Sequence, residues 1–413
     1  VDRAGRIVKT YVTLTLLSTF ASSFIWGINT LFLLDAGLSI TEAFTANAFF
    51  TAGQVIFEIP TGIVADTRGR RTSFLLGTAT LFGATVFYLW LWQIKGPFWA
   101  WAVVSILLGL GFTFFSGATE AWLVDGLKAA GYKKDLDSVF AKGAIAAGIA
   151  MLTGTVAGGL VAQYTNLGVP YVMRIVALAA TFLIAAFLMH DEGFSAKKRT
   201  SFIEEVRDVV SESVEFGVKN RPIRWMMLSS LVSGGVAIFG FYAMQPYLLE
   251  LYGQSDSYLI AGISAAIVAA AQIVGGLLVP YTGRLFEKRT SLLMTGTVVS
   301  TGALFLIAVA GNFWLVLILL ALWAVVFAAI GPVRQAYMNG LIPSQQRATV
   351  LSADNMMNSA GGVVVQPTLG KVAEVWGYPA SYLGSAIFQA LALPAIALAR
   401  RENAKSDPIR GET

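Results

Sequence analysis

The chain has 413 residues, 56% of them apolar and only 13% charged, with a net charge of +5. That composition belongs to a membrane protein and excludes an aqueous enzyme. With no cysteine and a single histidine, His190, disulfides, thiol chemistry and a histidine metal site are excluded too.

A membrane span needs roughly 20 apolar residues. On that measure the chain divides into twelve helices. The first half holds helices from about Thr10 to Leu34, Glu42 to Ala65, Thr72 to Trp92, Phe98 to Leu127, Ser138 to Gln163 and Pro170 to Met189. The second half holds about Ile223 to Leu251, Tyr258 to Leu285, Thr290 to Ala310, Phe313 to Leu341, Arg347 to Val375 and Pro379 to Ala399. The expected class is an all-α membrane protein of two pseudo-symmetric six-helix bundles. Residues 1–190 form the first bundle, 191–222 a linker, 223–402 the second bundle and 403–413 a tail.

The loops check this count. Those after the even-numbered helices carry Arg68–Arg71, Lys128–Lys134, Lys197–Arg199, Arg284–Arg289 and Arg347, whereas the alternate loops carry only Lys95. Basic residues mark the cytoplasmic face, so both termini are expected to be cytoplasmic and the basic excess sets topology; it is no nucleic-acid signal. Asp2-Arg3-Ala-Gly-Arg6 before the first helix agrees, and that first stretch is long enough to stay as a helix. In the linker, Ser201-Phe-Ile-Glu204 reads as a capping box, with Phe202, Val206, Val209, Val210 and Val214 on one helical face before Arg221-Pro222.

The second loop of this pattern is Gly62-Ile-Val-Ala-Asp66-Thr-Arg68-Gly69-Arg70-Arg71. Gly69 permits the reversal, and Gly62 leaves room for a neighbouring helix. Asp66 is placed to receive a helix N-terminus or an arginine. This loop resembles the signature of the major facilitator superfamily, with Gly62, Asp66, Gly69, Arg70 and Arg71 all in register. The halves also repeat: Arg71-Thr-Ser-Phe matches Arg289-Thr-Ser-Leu, Gln54 matches Gln272, and Gly117-(x8)-Gly126 matches Gly331-(x8)-Gly340. The resemblance implies alternating access about a substrate site between the halves.

An ionisable group inside a span costs roughly 2.5–3.5 kcal/mol at the helix centre, so each needs a reason. Glu58, Glu120, Asp125, Lys142, Arg174, Arg334 and Asp354 qualify. Asp125 and Arg174, near helix ends, are expected to reach the interface. Lys142 and Asp354 suit fixed or gate pairing. Glu58 reads either as a proton carrier, held protonated when water is excluded, or as a fixed partner of a basic group. Glu120 and Arg334 occupy equivalent places on the fourth and tenth helices, with opposite charge. They read as a cytoplasmic gate, the alternative being a partner for each inside its own half.

At mid-depth the candidates for a substrate cavity are Trp26, Asn29, Phe239, Tyr242, Gln245, Asn355 and Asn358. Aromatics with a few amides suit an amphipathic or cationic organic molecule. Phe57-Glu58-Ile-Pro60-Thr-Gly62, Gly117-Ala-Thr-Glu120-Ala-Trp122 and Arg347-Ala-Thr-Val-Leu-Ser352 resemble the twelve-helix drug-efflux branch of bacteria, the tetracycline- and macrolide-type exporters. Antiporters of the superfamily often end their fifth helix in Gly-Pro-x-x-Gly-Gly; here the stretch is Gly154-Thr155-Val-Ala-Gly158-Gly159, without the proline, which leaves close packing as a role for the last two glycines. The reading is a monomeric, proton-coupled exporter in the inner (plasma) membrane. It works on a small organic substrate with no cofactor beyond the proton gradient, since no nucleotide-binding loop is present. The alternative is an importer, facilitator or cation symporter of a nutrient or lipid-like solute, and a third is a receptor or scaffold on the same fold.

Overall fold

The structure is a computed structural model that describes residues 3–133, 136–194, 206–207, 211–343 and 346–409. The first half contains α1 (Arg3–Trp26), α2 (Asn29–Asp35), α3 (Ile40–Arg68), α4 (Arg70–Ile94), α5 (Phe98–Thr113), α6 (Ala118–Ala129), α7 (Asp137–Tyr164) and α8 (Val169–Leu188). A short π-turn over Ser213–Val218 leads into the second half, where α9 (Arg221–Tyr252), α10 (Tyr258–Thr282), α11 (Arg289–Val309), α12 (Phe313–Asn339), α13 (Arg347–Ala390) and α14 (Ala392–Arg401) follow.

Among the described residues, ten helices are long and apolar enough to cross a membrane, and eleven if α1 and α2, bent by 48°, count as one span. The last of them runs 53 residues from Thr349 to Arg401, about 80 Å if straight. No bilayer is that thick. Gly377 breaks it at φ +85°, a left-handed conformation that glycine adopts without strain, and turns one long helix into two spans. The total is the twelve that the hydropathy pattern gives. Most of the amphipathic helix expected in the linker, with Phe202, Val209 and Val210, lies outside the described residues, as do Lys134 and Lys197–Arg199. Val214, on its expected apolar face, is exposed.

Contacts divide the chain into two units. One comprises Val1–Leu38, Phe49–Val206 and Asp256–Ala266; the other comprises Ser39–Ala48, Arg207–Ser255 and Ile267–Thr413. The start of α3 therefore packs with the second unit, and the start of α10 with the first. In the second unit Phe44 of α3 stacks on Phe239 of α9 (4.8 Å between centroids), and the Thr41 amide donates to Glu374 at 2.8 Å. In the first unit a Cβ on Gly158 would strike the Phe24 carbonyl, and one on Gly159 the backbone at Tyr258 and Gly262. These two glycines let α7 touch both α1 and α10, the close-packing role read from the sequence.

Both units close their basic face in the same way. The start of α4 has no capping side chain of its own, since Gly69 precedes it. Asp191, just past α8, accepts the Arg71 amide at 2.9 Å, while an Arg71 guanidinium nitrogen donates to the Ala186 carbonyl at 2.8 Å. In the second unit the matching Arg289-Thr290 opens α11, and the cap is Asp407, just past α14. Its Oδ1 accepts the Thr290 amide at 2.8 Å and its Oδ2 the Thr290 hydroxyl at 2.9 Å. Arg289 donates to the Ser406 and Pro408 carbonyls at 2.5 and 2.6 Å. In the segment expected to be the tail, Ala404, Ser406 and Asp407 are thus buried, Asp407 at 2% exposure.

Candidate functional site

In the signature loop Gly69 sits at φ +102°, as a tight reversal requires. Asp66 finds its arginine one turn on, with an Oδ1 to Arg70 Nη1 distance of 2.6 Å. Gly62 differs from expectation: a Cβ there would meet nothing within 4 Å, so no helix approaches it closely.

The fourth span is broken, which the sequence reading did not foresee. Between α5 and α6 the residues Phe114–Gly117 form turns, and Gly117 lies at φ +66°. Irregular backbone at membrane depth survives only where protein or a cavity satisfies it, and interrupted helices in transporters point to binding sites. Two functional candidates meet this break. Glu58 of α3 is half-buried and accepts a hydrogen bond from the Ser116 hydroxyl at 2.7 Å. Glu120 lies in the first turn of α6 and faces a cavity of about 240 Å³.

That cavity is lined by Glu120 and Thr119, by Phe112 and Phe115 from around the break, and by Thr15, Ser18, Thr19, Ser22 and Trp26 of α1. Positions 15, 19, 22 and 26 are spaced as one face of a helix. The hydroxyl row was passed over in the sequence because serine and threonine in a helix often bond only to their own backbone. Ser18 does so, donating to the Thr15 carbonyl at 3.3 Å, which leaves its hydroxyl oxygen able to accept. No cation lines the cavity among the described residues. Its chemistry is one carboxylate, hydroxyl acceptors and three aromatic faces.

The expected site residues elsewhere in this unit fall differently. Trp26 lines the cavity, but Asn29 is buried behind it, accepting from the Tyr171 hydroxyl at 3.0 Å. Arg174 does not reach the interface; it is 2% exposed, its Nε donates to the Thr85 hydroxyl at 3.1 Å, and its guanidinium lies 6.0 Å from the Phe112 ring centre. The aromatic packing of Phe32, Tyr88 and Tyr171 around that level excludes water, so the arginine is held by internal partners. Asp125 is half-buried near the end of α6, and Lys142 is exposed.

The sequence matches the family model of the Major Facilitator Superfamily over residues 11–309 and 267–413. The chain belongs to the major facilitator superfamily. Superfamily members are transporters and not enzymes, and this one is accordingly a multi-pass membrane transporter. Its fold is similar to that of the nucleoside transporter NupG (TM-score 0.76, 15% identity, 96% of this chain and 99% of that one). It is similar to the peptide transporter POT (TM-score 0.76, 12% identity, 97% and 95%). It is also similar to a bacterial homolog of the human lysosomal transporter Spinster (TM-score 0.71, 14% identity, 100% and 99%). At these identities the likeness is one of fold. The first two are described as carrying different solutes, and none of the three is described as a drug exporter. No curated protein sequence matches the chain.

In the second unit of this superfamily member, Arg334 has a partner inside its own half. Its guanidinium grips both carboxylate oxygens of Asp354, one of them at 2.6 Å, and also donates to the Met226 carbonyl at 3.0 Å. Asp354 is 4% exposed and accepts a further bond from the Ser230 hydroxyl at 3.0 Å. The group ties α9, α12 and α13 together by the bidentate geometry that arginine and carboxylate favour. For Arg334 this is the alternative to a gate with Glu120. Glu120 itself forms no ion pair among the described residues, whether with Lys142 or any other cation. Of the substrate candidates here, Phe239 is fully buried against Phe44 and Tyr382, and Gln245 is 1% exposed, so neither is open to solvent in this structure. Tyr242 and Asn358 are half-buried and Asn355 is exposed.

Proposed function

We propose that the chain is a proton-coupled secondary transporter that exports amphipathic, cationic organic compounds by alternating access. The observation that carries this reading is the cavity around Glu120: one carboxylate with Trp26, Phe112 and Phe115, a row of hydroxyls on α1, and among the described residues no competing cation in the wall. A cation gains from the carboxylate by charge and from the aromatic faces by their quadrupole, while an anion gains from neither. Glu58 lies one break away, on the Ser116 hydroxyl, and is the candidate proton carrier. The domain scheme that accompanies this reading is two six-helix bundles joined by a cytoplasmic linker, in the inner membrane, acting as a monomer.

The hydroxyl row on α1 favours a second reading, uptake of a hydroxylated or nucleoside-like nutrient, for which those groups are the hydrogen-bond partners. One experiment separates the two. Proteoliposomes carrying a pH dye receive quaternary ammonium compounds, nucleosides and neutral polyols in turn. Export predicts proton movement opposite to the flux of the organic cation, lost in Glu120→Gln. Proton and solute moving together, or flux of polyols alone, overturns the export reading.

A further inference from the structure

A second cavity in the first unit, of about 430 Å³, lies on the basic face between the first turns of α1, Trp122 in the first half of α6 and the end of α8. Its wall carries Arg3, Arg6, Lys9 and His190. The first three recur every third residue, which spreads them over an arc of about 120° on one side of α1. Arg3 Nε donates to Glu192 Oε2 at 2.8 Å, so the one carboxylate in the wall already has its cation. Arg6 and Lys9 are exposed and, among the described residues, have no hydrogen-bond or ion-pair partner. Two such cations on one wall repel each other, and a bound anion relieves that repulsion.

The back of the pocket is rigid. Trp122 is 3% exposed and its indole nitrogen donates to the His190 carbonyl at 2.8 Å, which pins the chain leaving α8 onto α6. The lip is apolar. Leu188 lines the pocket and is exposed, and Phe187 beside it is exposed as well, on a helix that crosses the membrane. A dissolved phosphate has no use for an apolar lip. A lipid does: its phosphate meets Arg6 and Lys9 while its acyl chains run past Leu188 and Phe187. We propose that this pocket binds the phosphate of an anionic phospholipid headgroup drawn from the leaflet on the basic, cytoplasmic face. It is separate from the cavity around Glu120, and the inference stands whichever solute is carried.

The test uses the full chain in detergent, titrated with dihexanoyl phosphatidylglycerol, dihexanoyl phosphatidylcholine and inorganic phosphate, with complexes counted by native mass spectrometry. Phosphatidylglycerol should bind about tenfold or more tighter than phosphatidylcholine, as expected where basic side chains select the headgroup. Arg6→Gln with Lys9→Gln should weaken phosphatidylglycerol by about thirtyfold, two basic contacts at ~1 kcal/mol each, and leave phosphatidylcholine unchanged. Arg6→Lys with Lys9→Arg should keep most of the affinity. Both positions are exposed, so the lipid-free melting temperature should hold. If it falls, Lys9→Gln alone decides, with an expected loss of about fivefold. Equal binding of the two lipids overturns the proposal, and so does a double Gln variant that binds phosphatidylglycerol like wild type. Inorganic phosphate that displaces the lipid at similar concentration also overturns it, and assigns the site to a soluble anion.

Discussion

Changing Asp354 to Asn removes the charge that Arg334 is wrapped around. The Arg334 side chain is 18% exposed and that of Asp354 6%, so the guanidinium is left in low dielectric with only the Met226 carbonyl and a neutral amide. Breaking a buried pair from one side costs about 3–5 kcal/mol. The surviving carbonyl bond puts the expected loss near the lower end, about 3 kcal/mol. Arg334→Met should cost less, about 2 kcal/mol, because an orphaned carboxyl can take up a proton whereas a guanidinium cannot shed one. The double variant has no stranded charge and should lose about 2 kcal/mol in all, a coupling of about 3 kcal/mol. Unfolding in mixed micelles, followed by the fluorescence of the ten tryptophans, measures all four species. If Asp354→Asn costs under about 1 kcal/mol and the two changes add to within about 0.5 kcal/mol, the pair is not a structural tie and the reasoning fails.

Three further outcomes follow from contacts elsewhere in the molecule. Glu58→Gln should abolish pH-driven transport and keep substrate binding, while Ser116→Ala, which deletes the hydroxyl donor at 2.7 Å, should shift the pH dependence of transport without abolishing it. Flux assays across a pH gradient check both, and full coupling in Glu58→Gln would pass the proton role to another carboxyl. Asp407→Ala should lower stability by about 1–2 kcal/mol, the cost of a lost helix cap; a melting curve that matches wild type would show that the contacts to Thr290 contribute nothing.

The sequence made the frame legible wherever a rule acts over one helix or one loop. Twelve spans, the alternation of basic loops and the turn at Gly69 all rest on local hydropathy, charge and backbone freedom. Arg71-Thr-Ser and Arg289-Thr-Ser were recognisable as equivalent for the same reason, and their caps are equivalent too. The carboxylates that supply those caps, Asp191 and Asp407, lie more than a hundred residues downstream, beyond the reach of any local pattern. The broken fourth span was hidden because Phe114 and Phe115 keep the stretch apolar, and glycine is common in membrane helices. Its equivalent at Gly331 lies inside an unbroken helix, so the motif alone does not decide. Arg334 was placed by symmetry opposite Glu120, yet a stronger partner stood twenty residues away on the next span.

The cap at Asp407 also bears on the order in which the molecule is made. The first unit can lock α4 as soon as Asp191 follows α8, before any of the second half exists. The start of α11 waits for its own carboxylate over a similar length of chain, 117 residues against 120 for the start of α4. It is synthesised more than a hundred residues before the carboxylate that caps it, and through that interval its amides face water or whatever chaperone attends the ribosome. Each half therefore closes its basic face only after its own last helix has been made. A nascent chain stalled between Arg401 and Asp407 carries every span found among the described residues and still lacks the closure of one of them.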